Sequence, residues 1–257
     1  GAIANDANIL SPAMMVFRYG RLPVCYLNIA EQVGGEVGDT FRRLAVEDLI
    51  AFGLHAYDAD ANMIHAMFTD GRRIELNAVV RAGHYYDPTD PGRITKMRCY
   101  RVGGTFLWAY AMAYRLSEDR RLLPTLRRIG VANGFGDLLA APNLDHPSSD
   151  PEALHALLEL HRATEDPRHL VLARRLGDNI LRQRRHNGFL VRSKSHRYTR
   201  CSTPEGLALL HLHAEITGTA QPPPRAWPTY PYFQCRSGDL GRVTDNTALY
   251  KQKVEDR

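Results

Sequence analysis

Shifting the chain by 47 positions lays one stretch of it over another, and this internal repeat restricts the available folds more than any other feature. Leu107 falls on Leu154, Arg115 on Arg162, Glu118-Asp119 on Glu165-Asp166, Leu123 on Leu170, Arg127-Arg128 on Arg174-Arg175 and Gly130 on Gly177. Each copy holds two stretches of helical periodicity around a short polar turn. The repeating unit is therefore a helix pair, which covers its apolar faces only by stacking on its neighbours. In the better marked copy, Leu154, Leu157, Leu158 and His161 fall at i, i+3, i+4 and i+7, while Glu152, His155, Glu159 and Arg162 turn elsewhere. Asp150, Asp166 and Thr203 each precede a proline, the arrangement of an N-cap residue before proline at the first helical position. A further half-repeat starts at Pro204-Glu205, 53 positions after Pro151-Glu152, and carries Leu207, Leu210 and Thr217 onto Leu154, Leu157 and Thr164.

Each helix pair is followed by a loop or short strand, so the period exceeds that of a tetratricopeptide array. The spacing predicts a mainly α protein of the α/α-toroid type, a ring of helical hairpins with loops building a cleft at one end. Asp39 to Tyr57 reads as another helix, and the segments near Ala13 and Val24 as an earlier pair. Met63 to Leu76 alternates around Thr69-Asp70-Gly71 and reads as a β-hairpin insertion. About eight helices, or four hairpins, follow from this periodicity. A closed toroid takes more, so the ring is expected to be incomplete or continued in a longer enzyme. Residues 1–257 are read as one such domain, with 221–257 as an extended C-terminal segment that opens on Pro222-Pro223-Pro224 and becomes irregular or β structure from Tyr230 to Asp245.

Composition narrows the class without naming a chemistry. A chain of 257 residues with 44% hydrophobic and 24% charged residues buries an ordinary core and is neither disordered nor collagen-like. No apolar run approaches the roughly 20 residues of a membrane span. The chain starts at Gly1 without a basic leader, the expectation being a processed chain or an excerpt, cytoplasmic or periplasmic. Cys25, Cys99, Cys201 and Cys235 lie far apart, with neither zinc spacing nor a CxxC pair; they read as thiols rather than disulfides.

The net charge of +5 is unevenly spread. From Arg182 to Arg200 the chain carries Arg182, Arg184, Arg185, Arg192, Lys194, Arg197 and Arg200, with His186 and His196, and no acid. A second acid-free patch holds Arg93, Lys96, Arg98 and Arg101 behind His84, Tyr85 and Tyr86. Both fall between helices, where a toroid puts its ligand loops. Tyr85, Tyr86, Tyr100, Phe189 and Tyr198 interleave with them, as sugar stacking requires, although RNA binding would use the same ingredients.

Other chemistries lack their signatures. No HExxH, P-loop, GxSxG or helix-opening GxGxxG is present, and Gly103-Gly104 reads as a helix-entry break. His155 and Glu159, four apart, read as exposed residues of an outer helix rather than as metal ligands. His211 and His213 are two apart and turn to opposite sides of a helix, so they do not share a metal.

The run Phe106-Leu-Trp-Ala-Tyr-Ala-Met-Ala-Tyr-Arg-Leu-Ser-Glu-Asp119, the later Gly134-Phe-Gly-Asp137 and the closing Asp245-Asn-Thr-Ala-Leu-Tyr250 resemble the latter part of family 2 pectate lyases. The resemblance implies an α/α toroid that cleaves polygalacturonate by metal-assisted β-elimination, with a divalent metal ion as cofactor. It also implies that the family's metal ligands and catalytic arginine belong to an earlier part of a longer chain; none is matched here, so the catalytic residues are unassigned and the metal ligands are expected outside this chain or far apart in sequence. The expected partner is an acidic polysaccharide or oligogalacturonate, in preference to nucleic acid or membrane. Its expected contacts are Arg98, Arg101, Arg192, Lys194, His196, Arg197 and Tyr85, because guanidinium and ammonium groups neutralise a uronate carboxylate and an aromatic face stacks on a sugar. Two other readings remain open: a toroidal glycoside hydrolase acting on uronic-acid oligosaccharides, using two carboxylates among Asp137, Asp145, Glu205 and Asp245, and a non-catalytic helical-repeat domain that binds an acidic partner.

Overall fold

The structure, a computed structural model, describes residues 21–64, 100–186, 189–190 and 204–219, together with position 223 and the pairs 235–236 and 242–243. Among the described residues seven α-helices occur: α1 (Arg21–Val33), α2 (Gly35–Ala51), α3 (Gly104–Ser117), α4 (Leu123–Ala132), α5 (Pro151–Thr164), α6 (Pro167–Arg184) and α7 (Pro204–Thr217). A π-helical turn, Phe52–Ala56, extends α2, and a 3-10 turn, Arg120–Leu122, leads into α4. The strands are two residues long. Tyr57–Asp58 (β1), Met63–Ile64 (β2) and Tyr100–Arg101 (β3) form one antiparallel sheet, with Ile64 opposite both Tyr57 and Tyr100. Gly136–Asp137 (β4) pairs with Ala141–Pro142 (β5), Arg185–His186 (β6) with Phe189–Leu190 (β7), and Cys235–Arg236 (β8) with Arg242–Val243 (β9). The hairpin expected from Met63 to Leu76 lies outside the described residues beyond Ile64. Met63 and Ile64 belong instead to the middle strand of a sheet whose third strand comes from residue 100 onward.

The helices form two layers. In the inner row, α1 packs on α3, α3 on α5 and α5 on α7, while α2, α4 and α6 lie outside their hairpin partners. The sequence dictates which helix goes where. In α3 every residue from Phe106 to Ala113 is buried, and in α5 every residue from Ala153 to Leu160; helices covered all round belong in the middle of a domain. By contrast, α6 buries His169, Leu172, Ala173, Leu176, Gly177 and Ile180 on one stripe, the pattern of a helix with one face to solvent. Gly177 sits where a Cβ would come 2.5 Å from Leu212 Cδ2, so α6 seats closely on the inner layer.

The inner helices run parallel. Thr105 at the start of α3 donates to Glu152 at the start of α5 (2.9 Å), and near their ends Arg115 bonds Glu159. Arg115 also reaches Glu31 near the end of α1 (2.7 Å), and Arg162 of α5 reaches Glu215 near the end of α7 (2.5 Å). Tight corners turn each inner helix into its outer partner, and the repeat is atomically visible there. Ser117 and Thr164 donate to Ala113 O and Leu160 O (2.7 and 2.8 Å). Glu118 and Glu165 take the left-handed conformation at φ 55° and 56°. Asp119 and Asp166 then cap the next turn through Arg121 N and Arg168 N, at 2.9 Å in both copies. Gly34 after α1 and Gly218 after α7 also take positive φ, 64° and 65°, Gly34 with an extended ψ of -168°, where a side chain would be strained.

The forked Arg168 side chain, followed by the Arg168 backbone N–H, holds the Asp166 carboxyl well below the usual range, at about 2. Burial pushes the His169 imidazole below its ordinary value of 6.5, against the opposing pull of its bond to Leu138 O (2.6 Å) and of Asp166. For both groups the unfolded chain binds the proton more readily, so stability falls as pH drops. Thermal melting should therefore decline from about pH 6.5 downward through His169 and again below about pH 4 through Asp166. A His169→Asn variant should lose the first decline and keep the second; melting curves of both proteins from pH 8 to 3 measure this, and an unchanged slope near pH 6 in the variant would remove His169 as its source.

Candidate active cleft

Because the inner helices are parallel and their inner-to-outer corners are tight, the long outer-to-inner connections leave and enter the helices at the other end. These are residues 52–103, 133–150 and 185–203, which feed the starts of α3, α5 and α7. The helix starts are side by side there: a Cβ on Gly104 would come 2.6 Å from Asp150 Cγ and 2.7 Å from Ala153 N. Asp150 caps α5 through Glu152 N and Ala153 N (2.8 and 3.3 Å). Loop 133–150 is fixed over this end by Asn179, which donates to His146 O and Ser148 O (3.1 and 2.9 Å). The His146 ring also stacks on Phe135 with centroids 4.1 Å apart. Three helix N-termini bring partial positive charge to the same end.

Both basic segments are anchored here. Arg101 lies in β3, two residues before the Gly103 that precedes α3, and β6 leaves the end of α6. Only the backbone of Arg101 is described, and Tyr85, Arg98, Arg192, Lys194, His196 and Arg197 lie outside the described residues. Their attachment points therefore share one end of the molecule, at positions fixed by α3, α6 and α7. Of the cations read from 182 onward, Arg184 is turned inward, 3.9 Å from the buried Glu205 and 3.4 Å from Ser149 Oγ. Asp137 lies 3.5 Å from Arg127, so both it and Glu205 face arginines.

Two inner-layer arrangements escaped the sequence reading. His155 and Glu159, expected on an exposed outer face, are buried at 4% and 1% exposure. The reason is that α5 is the central inner helix, walled by α3, α6 and α7. Trp108 and His155, one repeat apart, stack with centroids 4.4 Å apart at 14°, and His211 meets His155 edge-on at 5.1 Å. His211 is buried while His213 is exposed, as helical geometry requires. Glu159 joins a chain of charges across four helices, Glu31–Arg115–Glu159–Arg162–Glu215. Burial alone would push the Arg115 guanidinium down; the Glu159 and Glu31 carboxylates more than reverse this and hold it above its ordinary value. The exact 47-residue spacing of Arg115 and Arg162 was the available signal for this chain of charges.

A metal is not accommodated by what is described. Among the described residues no three His, Cys, Asp or Glu side chains group to hold one, and Glu159 is committed to two guanidiniums. No helix among them is long and apolar enough to cross a membrane.

The sequence profile of the periplasmic pectate lyase family matches residues 1–236. A pectate disaccharide-lyase of Dickeya dadantii (strain 3937) is 26% identical over 223 residues, which cover 83% of this chain and 36% of that protein. The chain thus spans about a third of the relative's length. With a profile match over nearly its whole length and a helical-hairpin architecture to go with it, the chain belongs to the periplasmic pectate lyase family.

Proposed function

We infer that this chain is the part of a polysaccharide lyase that supplies one wall of a cleft for polygalacturonate, in the periplasm, with its hairpins continued by others toward a toroid. The family match carries the reading, and the anchoring of two acid-free basic segments at one end of the inner row supports it. In the elimination a base removes the weakly acidic C5 proton of a uronate, the glycosidic oxygen leaves C4, and a C4–C5 double bond conjugated with the carboxylate remains. The carboxylate must be neutralised for that proton to leave. Arg98, Arg101, Arg192, Lys194 and Arg197 are the residues proposed to bind and neutralise uronate carboxylates here, with His196 and Tyr85 completing the contacts. The divalent metal implied by the resemblance is assigned to ligands beyond the described residues.

Incubation of the purified chain with polygalacturonate, with and without divalent metal, tests the reading. New ultraviolet absorbance from an unsaturated product is expected, from this chain alone or together with the remainder of a longer enzyme; reducing ends without that absorbance would mean hydrolysis, and retention without cleavage would mean binding only. Replacing Arg192 or Lys194 with alanine should weaken oligogalacturonate binding by about 1–3 kcal/mol, the range for a lost charge-assisted contact, and leave folding within about 0.5 kcal/mol. If the segment is extended, Arg192, Lys194 and His196 share a face that Arg197 does not, so the loss at Arg197 should be smaller. Calorimetry on the four single variants reads the pattern, and equal, negligible losses would return the segment to ordinary surface.

A further inference from the structure

The outer face of α6 departs from the rest of the described surface in how its charges are arranged. Elsewhere arginines either meet acids, as Arg42 does Asp39, Arg121 does Asp119 and Glu47, and Arg127 does Asp137, or stand singly among the described residues, as Arg43, Arg120 and Arg128 do; at the start of α6 itself Arg168 pairs with Asp166. On α6 and its continuation, Arg174, Arg175, Arg182 and Arg185 are exposed and make no ion pair among the described residues. Asp178 is the one acid in the stripe. Val171 and Leu181 stand exposed among these arginines, at 49% and 46%. The positions fall at spacings of three, four and seven, so they share one side of the helix, opposite the stripe that seats on the inner layer. Basic residues in the last turn complement the helix dipole, which accounts for Arg182. It does not account for Arg174 and Arg175, about 15 Å back from the end of a helix rising about 1.5 Å per residue.

A solvated face kept only for solubility mixes its signs, as α2 does with Glu36, Asp39, Arg42, Arg43 and Glu47. Four guanidiniums without an acidic partner among the described residues, with apolar side chains between them, instead offer carboxylate forks beside surfaces for the C–H face of a sugar. The stripe also has a direction. The end of α6 leads into β6, from which the basic segment continues in sequence, so the stripe runs along the outer wall to the point where that segment attaches. We propose that the outer face of α6 is an accessory track for a polyuronate chain, holding the part of a long polymer that extends beyond the cleft. The inference rests on the polyuronate reading of the cleft.

The test compares the full chain with an Arg174→Gln/Arg175→Gln variant, which changes only exposed residues remote from the cleft end. Affinity electrophoresis in polygalacturonate and calorimetry with a galacturonate trimer read the two ligand lengths. Affinity for the polymer should fall roughly 3- to 10-fold and depend less steeply on salt, with trimer affinity unchanged. Undiminished polymer affinity overturns the proposal, as does an equal loss toward the trimer, which would place the effect in the cleft or the fold. An equal loss toward heparin overturns it by showing general polyanion attraction, and so does a loss confined to phosphatidylglycerol vesicles. The lyase reading is scored separately by the unsaturated product. Stripe-dependent polymer binding without product, from this chain alone and together with the remainder of a longer enzyme, refutes that reading and keeps this one; product formed with stripe-independent binding does the reverse.

Discussion

Glu159→Gln should lower the unfolding free energy by about 3 kcal/mol, the lower part of the range for removing one partner of a buried ion pair. Glu159 is 1% exposed and faces Arg115 and Arg162, whose side chains are 16% and 22% exposed. The variant keeps the shape and removes the charge between two guanidiniums that remain largely out of water. Each arginine keeps a second acid, Glu31 or Glu215, which places the cost at the lower end. For a domain of this size the melting temperature should fall by roughly 6–12 °C. Glu31→Gln is the control: Glu31 is 35% exposed, and its loss should cost no more than about 1 kcal/mol. Urea unfolding of both variants in 0.15 M and 1 M salt decides the matter. A Glu159 penalty that vanishes in high salt would show that the pair is screened like a surface bridge, contrary to its burial.

Trp108→Ala should cost more, about 3–5 kcal/mol, the range for truncating a buried aromatic side chain to alanine. Trp108 is 2% exposed at the middle of the inner layer and stacks on His155. Its removal opens a void among helices that are covered on every side and have little freedom to collapse. His155 would also lose the ring against which it is oriented, and His211 in turn meets His155. Denaturant unfolding gives the magnitude. Near-ultraviolet circular dichroism gives a second readout, because Trp108 is one of only two tryptophans in the chain. A variant within about 1 kcal/mol of the parent would mean that the stack does not organise the inner row.

Local chemistry was enough to place most of the helices. Asp150 and Asp166 before their prolines start α5 and α6 where the capping argument puts them. The helix read from Asp39 to Tyr57 is there as α2 and its π-helical extension, ending as the chain enters β1 at Tyr57. The 47-residue repeat foretold that Glu118 and Glu165 would occupy equivalent corners, and they do so within a degree of φ. These features were legible because caps, turns and apolar periodicity depend on neighbours within about four residues.

What the tertiary structure alone decided is which helices form the inner row, and with that the meaning of every polar residue on them. His155 and Glu159 look like surface residues of an amphipathic helix when only that helix is considered. Packing α3, α6 and α7 around α5 buries them, and their partners Trp108, His211, Arg115 and Arg162 come largely from other helices. Arg162 and Arg184 likewise find their acids, Glu215 and Glu205, on another helix, whereas Arg174 and Arg175 make no ion pair among the described residues. A sequence records charge and period along one dimension, whereas the burial and pairing of a charge are set by groups tens of residues away.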